Sequence, residues 1–336
     1  MERKALSCRM SKRNLPVDRW RPPRIKSFLI VAFVAILIVL QASLLDSARK
    51  IRIVTSVFPL MEFAQAVCGE RGEVHLLVPP GAEIHTWQPR PSDIVRLSSA
   101  DLFLFIGSTM EPWLQDILDA VQNPNLRTLE ASQGISLITR DSTGTGHEDE
   151  HEEEHAHETE GVDPHIWLDF QNDQIIIDKI AAALSGLDPE GTSIFRKNAF
   201  AYKQRLRALD EKFRESLQEC THKVFILGGH AAFGYMARRY GLRQISLYGM
   251  SPDSSPTPKK LIEIVELAKK YKIKVVFFES SVGDELARVL AREVGARTLI
   301  LNPGANLTKE ELELGKTFFD IMEENLENLK DGLICR

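Results

Sequence analysis

The sequence predicts an α/β protein of two lobes, each a parallel sheet flanked by helices, joined by one long rigid helix. Three observations carry that prediction. Short apolar runs alternate with helical segments from residue 51 to about 137, the pattern of parallel strands covered by helices. The same alternation resumes at Val224. Between the halves, Thr192 to Gln218 holds no Gly or Pro and sets Phe195, Ala199, Tyr202, Leu206, Leu209, Phe213 and Leu217 at three- and four-residue steps. A helix of that length spans ~40 Å at 1.5 Å per residue, enough for a strut between lobes.

In order, Ile51–Phe58 reads as a buried strand, followed by a helix from Pro59 to Cys68 that stops at Gly69. Val74–Val78 is a second strand, and Ser92 can cap a short helix to Ser98. Asp101–Gly107 is a third strand, Glu111–Val121 a helix, and Thr128–Leu137 holds a further strand. Asp173–Leu184 is helical, ahead of the long run. In the second half the strands are Val224–Gly228, Gln244–Tyr248, Lys274–Glu279 and Thr298–Leu301. The intervening helices are His230–Tyr240, Lys259–Tyr271 and Asp284–Val294. Thr308, with Glu311 three residues on, makes a capping box for the last long helix.

The chain divides accordingly. Residues 1–48 are a basic segment plus an export signal or membrane anchor, and 49–188 the first lobe, with a disordered His/acid-rich loop at 139–162. Residues 189–218 are the linking helix, and 219–336 the second lobe. The basic segment carries nine Lys/Arg before residue 28 against Glu2 and Asp18, and an unbroken apolar run follows from Phe28 to Leu40. A basic flank ahead of an apolar run is the layout of an export signal, with the body outside. What remains holds 33 basic and 45 acidic residues. An acidic body argues against nucleic acid as a partner. Cys68, Cys220 and Cys335 are an odd number for an oxidising compartment: one disulfide and one thiol, in a pairing that sequence leaves open. Isolated cysteines exclude a Cys-based zinc knuckle.

Histidine carries the chemistry. His147, His151, His155 and His157 lie in HEDEHEEEHAHETE with eight acidic residues. Such a segment buries no core but offers many weak sites for borderline divalent ions, an accessory metal loop. His85, His165 and His230 each fall at a strand-to-helix junction, and ligands of open α/β sheets gather beyond the carboxyl ends of strands. Three such histidines can form one metal site. His230, placed at a helix start, gains a dipole reason to stay neutral. His75 and His222 lack such a context.

The stretches VPPGAEIHTWQPRPSD, DPHIWLD and GGHAAFGYMARRYGL resemble the motifs of the zinc/manganese-binding subunits of bacterial ABC transporters, the cluster A-I solute-binding proteins. The resemblance covers about residues 51–330. The acidic histidine loop before the DPH motif is similar to the zinc-uptake branch of ZnuA type. The resemblance implies metal in an interlobe cleft, with His85 and His165 from the first lobe and His230 from the second. It also implies a fourth ligand near Asn302, where many members carry Asp. A neutral amide is a poor zinc ligand, so the expectation is three histidines plus water, with Asn302 a weak or supporting group. Glu279 and Glu83 are candidate acceptors that orient the ligands.

The expected function is a non-enzymatic, monomeric, extracytoplasmic carrier that captures Zn2+ and hands it to a membrane permease of an ABC importer. Manganese or iron is the alternative cargo. The rival of another class is a three-histidine zinc hydrolase, for which Glu83 is the nearest acid. A further alternative is an adhesin that retains the site.

Overall fold

The computed structural model describes residues 49–139, 161–249, 256–279 and 285–335. The export segment and the four histidines of the acidic loop lie outside them. Among the described residues no helix is long and apolar enough to cross a membrane.

The first sheet holds β1 (Ile51–Thr55), β2 (Gly72–Leu76), β3 (Leu102–Phe105) and β4 (Arg127–Glu130) in the order β2-β1-β3-β4, all parallel. The second repeats that plan with β5 (Val224–Leu227), β6 (Arg243–Ser246), β7 (Val275–Phe278) and β8 (Arg297–Ile300), ordered β6-β5-β7-β8. Each sheet reverses its winding between its first and third strands, which opens a crevice at their carboxyl ends. Strands β1, β3, β5 and β7 are apolar at nearly every position because both faces are covered.

Helices α1 (Phe58–Cys68), α2 (Pro91–Ser98) and α3 (Leu114–Ala120) accompany the first sheet. Then come α4 (Phe170–Leu187) and the long α5 (Thr192–Gln218) of 27 residues. The second sheet carries α6 (Gly234–Tyr240), α7 (Pro258–Lys270), α8 (Glu285–Val294), α9 (Lys309–Glu313) and α10 (Phe318–Leu333). Every apolar residue picked out on α5 is buried. That face joins one apolar core that runs from the first sheet through α5 into α10, with a second cluster under α7 and α8. From Lys50 onward the chain packs as one compact unit.

Three expectations need correction. Ser92 is not the cap of α2: Pro91 occupies its first turn, Arg90 is the N-cap, and the Arg90 N–H donates to Asp93 Oδ2 at 2.8 Å. The Thr308–Glu311 capping box forms, but it starts only the five-residue α9. The chain turns at Gly315, whose φ of 67° suits glycine, and the last long helix begins on a second capping box, Thr317 with Asp320. The helix after β5 starts at Gly234, not at His230. The cysteine arithmetic resolves as a Cys220–Cys335 disulfide and a buried Cys68 thiol, which burial pushes up to about 11.

Candidate metal centre

Asp163-Pro164-His165 builds the first half of the site. Asp163 Oδ1 accepts the His165 backbone N–H at 2.9 Å, an Asx turn. The same oxygen lies 2.8 Å from His165 Nδ1. A carboxylate at Nδ1 fixes the tautomer and leaves Nε2 bare for a cation. Asp169, four residues on, then caps α4 by accepting from the Gln171 N–H at 2.9 Å.

The second lobe repeats this device. His230 follows β5 through Gly228 and Gly229, and Glu279 follows β7, so the pair straddles the crevice of the second sheet. Glu279 Oε1 accepts the His230 N–H at 2.9 Å and meets Nδ1 at 2.9 Å. A Cβ at residue 229 would collide with that oxygen, and one at residue 234 would collide with Asp163 Oδ2. Glycine at both places lets each carboxylate approach. The two Nε2 atoms then face each other across the lobes at 3.1 Å.

His85 completes the group from the loop after β2. Its backbone N–H donates to Glu83 Oε1 at 3.2 Å, and its ring meets those of His165 and His230 at centroid distances of 5.5 and 5.6 Å. One ring nitrogen from each of the three histidines lies within 4.8 Å of the others. That spacing suits a single ion held by three imidazoles, with one tetrahedral position left over.

The surroundings push the two buried rings in opposite directions. Burial holds the His165 imidazole well below the ordinary histidine value, and neighbouring His230 pushes the same way. Burial also opposes charge on His230, but Glu279, Glu83 and Asp163 outweigh it and raise the ring. The dipole argument for His230 therefore fails: the helix start is four residues away, and the carboxylates decide. Burial pushes Asp163 up to about 7.

Asn302 is turned to its own loop. Its Oδ1 accepts the Gly304 N–H at 2.8 Å, and its Nδ2 lies 3.4 Å from Glu311 Oε1. His75 pairs with Glu73 at 3.2 Å on β2. Asp163 is the carboxylate on the His165 ring that sequence reasoning passed over. Its signal was an Asx turn closed by proline directly ahead of a candidate ligand.

A buried ion-pair network ties the ligand segments together. Arg239 on α6 reaches Asp169 Oδ1 at 3.2 Å and Asp210 of α5 at 2.6 Å through Nε. Tyr240 donates to Asp210 at 2.9 Å. One arginine thus links the DPHIWLD segment, the long helix and the helix after His230.

Residues 53–332 match the family described as zinc-uptake complex component A, periplasmic (ZnuA). The chain is 36% identical over 290 residues to the high-affinity zinc uptake system protein ZnuA of Bacillus subtilis, covering 85% of this chain and 89% of that one. It is 34% identical over 304 residues to the zinc-binding lipoprotein AdcA of Streptococcus pneumoniae, covering 90% of this chain but only 60% of that longer protein. The Zn(II)-bound ZnuA-like domain of S. pneumoniae AdcA superposes with a TM-score of 0.70 at 32% identity, over 84% of this chain and 99% of that one. The motifs, the paired sheets and the length of the match agree: the chain belongs to the ZnuA family of periplasmic zinc-uptake components.

Proposed function

We propose that the protein captures Zn2+ in the cleft between its lobes, on His85, His165 and His230, and delivers it to the permease of an ABC importer. The observation that carries this reading is the convergence of three imidazole nitrogens within 4.8 Å, drawn from both lobes. Three nitrogen donors suit zinc, whereas manganese favours oxygen. Two neighbouring carboxylates, Asp163 and Glu279, balance the ion's charge from beyond the rings. The fourth position goes to water, since the Asn302 oxygen is held in its own turn. The Zn(II)-bound AdcA domain and the zinc-uptake protein of B. subtilis support zinc as the cargo.

Delivery outside the cytoplasm is supported by the Cys220–Cys335 disulfide, which persists in an oxidising compartment. The four histidines at 147–157 serve as an accessory zinc-collecting segment.

Calorimetric titration with Zn2+ and Mn2+ tests this. One tight zinc site, kept when residues 147–160 are deleted and abolished by His165→Ala, is the expected result. Zinc binding that disappears with the acidic segment, or tighter binding of Mn2+, would overturn it.

A further inference from the structure

We propose that Asn306 is a positioning residue for zinc retention: from the second lobe it fastens the loop that bears His85 in the first. The proposal rests on the three-histidine reading. Asn306 Nδ2 donates to two carbonyls of that loop, Pro79 O at 2.8 Å and Ala82 O at 3.0 Å. Its own Oδ1 accepts the Leu307 N–H at 2.9 Å, which aims the amide. Leu307 O in turn accepts the Gly81 N–H at 2.7 Å. Three hydrogen bonds between lobes therefore fall on residues 79–82, immediately before the turn that carries His85.

Two hydrogen bonds tie that turn together. Glu83 O accepts the Trp87 N–H at 2.9 Å, and Glu83 Oε1 accepts the His85 N–H. Fixing Ala82 fixes the start of this unit, and with it the His85 ring. The same second-lobe segment also grips the segment of His165. Pro303 O accepts the Trp167 Nε1–H at 2.7 Å, two residues past His165, and Ala305 O accepts the Phe58 N–H at 2.9 Å. Asn302 and Asn325 hold the segment's base, with the Asn302 N–H on Asn325 Oδ1 at 2.8 Å and Asn325 Nδ2 on Asn302 O at 2.7 Å. The second lobe thus braces both first-lobe ligands while supplying the third itself. In this brace the Asn306 side chain reaches the His85 loop with two hydrogen bonds. Alanine removes its two donors, and aspartate sets a carboxylate against two carbonyl oxygens.

The test is zinc dissociation into excess chelator, followed by stopped flow on the whole protein, for wild type, Asn306→Ala, Asn306→Asp and His165→Ala. Hydrogen exchange of the Gly81 amide is measured on the metal-free proteins. Zinc should leave the Asn306 variants about tenfold faster, the scale of losing an outer-shell support, and faster from Asp than from Ala. Gly81 should exchange faster in both, with the metal-free melting temperature little changed. Dissociation at the wild-type rate, or unchanged Gly81 exchange, overturns the proposal while a His165-dependent site leaves the zinc reading standing. If His165→Ala also releases zinc at the wild-type rate, the three-histidine reading falls, and this proposal with it.

Discussion

A single carboxylate oxygen, Glu279 Oε1, holds both the backbone N–H and the Nδ1 of His230, each at 2.9 Å. The charge behind the ring strengthens the imidazole as an electron donor and offsets the penalty that burial sets on its charged form. Glu279→Gln keeps an acceptor but removes the charge. It is expected to weaken zinc binding by 10- to 100-fold, roughly the span recorded for such partners. Competition against a chromophoric chelator reads this directly. Affinity equal to wild type would mean that Glu279 only anchors the strand end.

Arg239 is the second pressure point. Its guanidinium is nearly buried between Asp169 and Asp210. Arg239→Met fills the space but takes the buried cation from both carboxylates, leaving Asp210 to Tyr240 and Arg214 and Asp169 to the Gln171 N–H. Breaking a buried pair from one side costs about 3–5 kcal/mol, which urea unfolding of the metal-free variant would show. Because Asp169 closes the DPHIWLD segment, zinc affinity should fall with stability. Loss of stability with full zinc affinity would separate this network from the site.

Glu111 gives a pH signature that metal does not touch. It is fully buried at the crevice of the first sheet, where it accepts the Ile106 and Gly107 N–H groups at 3.1 and 2.8 Å. Burial pushes its carboxyl up to about 7 from an ordinary 4.5. The folded state therefore holds its proton more tightly than the unfolded chain. Its contribution is fully present below pH 4.5 and is lost as pH rises through 7, a difference of about a few kcal/mol. Glu111→Gln cannot ionise. Its melting temperature relative to wild type should rise between pH 5 and pH 8 in metal-free protein. A constant offset across that range would refute the raised value.

Much of this was legible in the sequence, for reasons visible in single residues. The β-runs of both lobes are doubly covered, so Leu102–Phe105 and Val275–Phe278 read as solid apolar blocks. The seven apolar positions of the long helix held because one face packs against both lobes. Ends were less legible. Ser92 looked like a cap, but the helix starts two residues earlier, with Arg90 as its cap and Pro91 as its first residue. Thr308 looked like the start of the last helix, and only the left-handed turn at Gly315 separates two helices that sequence fuses. In the site, three junction histidines were legible from their neighbours. The roles of Asp163 and Asn306 were not, since each depends on an oxygen or amide aimed by tertiary structure. The Asp163 oxygen packs beside Gly234, 71 positions away in the other lobe.

The Cys220–Cys335 disulfide closes a span of 115 residues around the second lobe. Beside it, the Thr221 and His222 N–H groups donate to Ile334 and Leu333 carbonyls at 3.2 and 3.0 Å. In the chain-entropy account a cross-link over so long a loop stabilises by about 5 kcal/mol, and disulfides typically contribute about 2–4 kcal/mol. The paired variant Cys220→Ser with Cys335→Ser should therefore melt several degrees lower. Zinc affinity should hardly change, because Cys220 precedes β5 while His230 follows it, which puts the bond at the amino end of the sheet and the metal at the carboxyl end. Melting temperature and zinc competition on the same preparation check both halves. A large loss of zinc affinity would show that the disulfide, and not the packing of α5 against α10, sets the distance between the lobes.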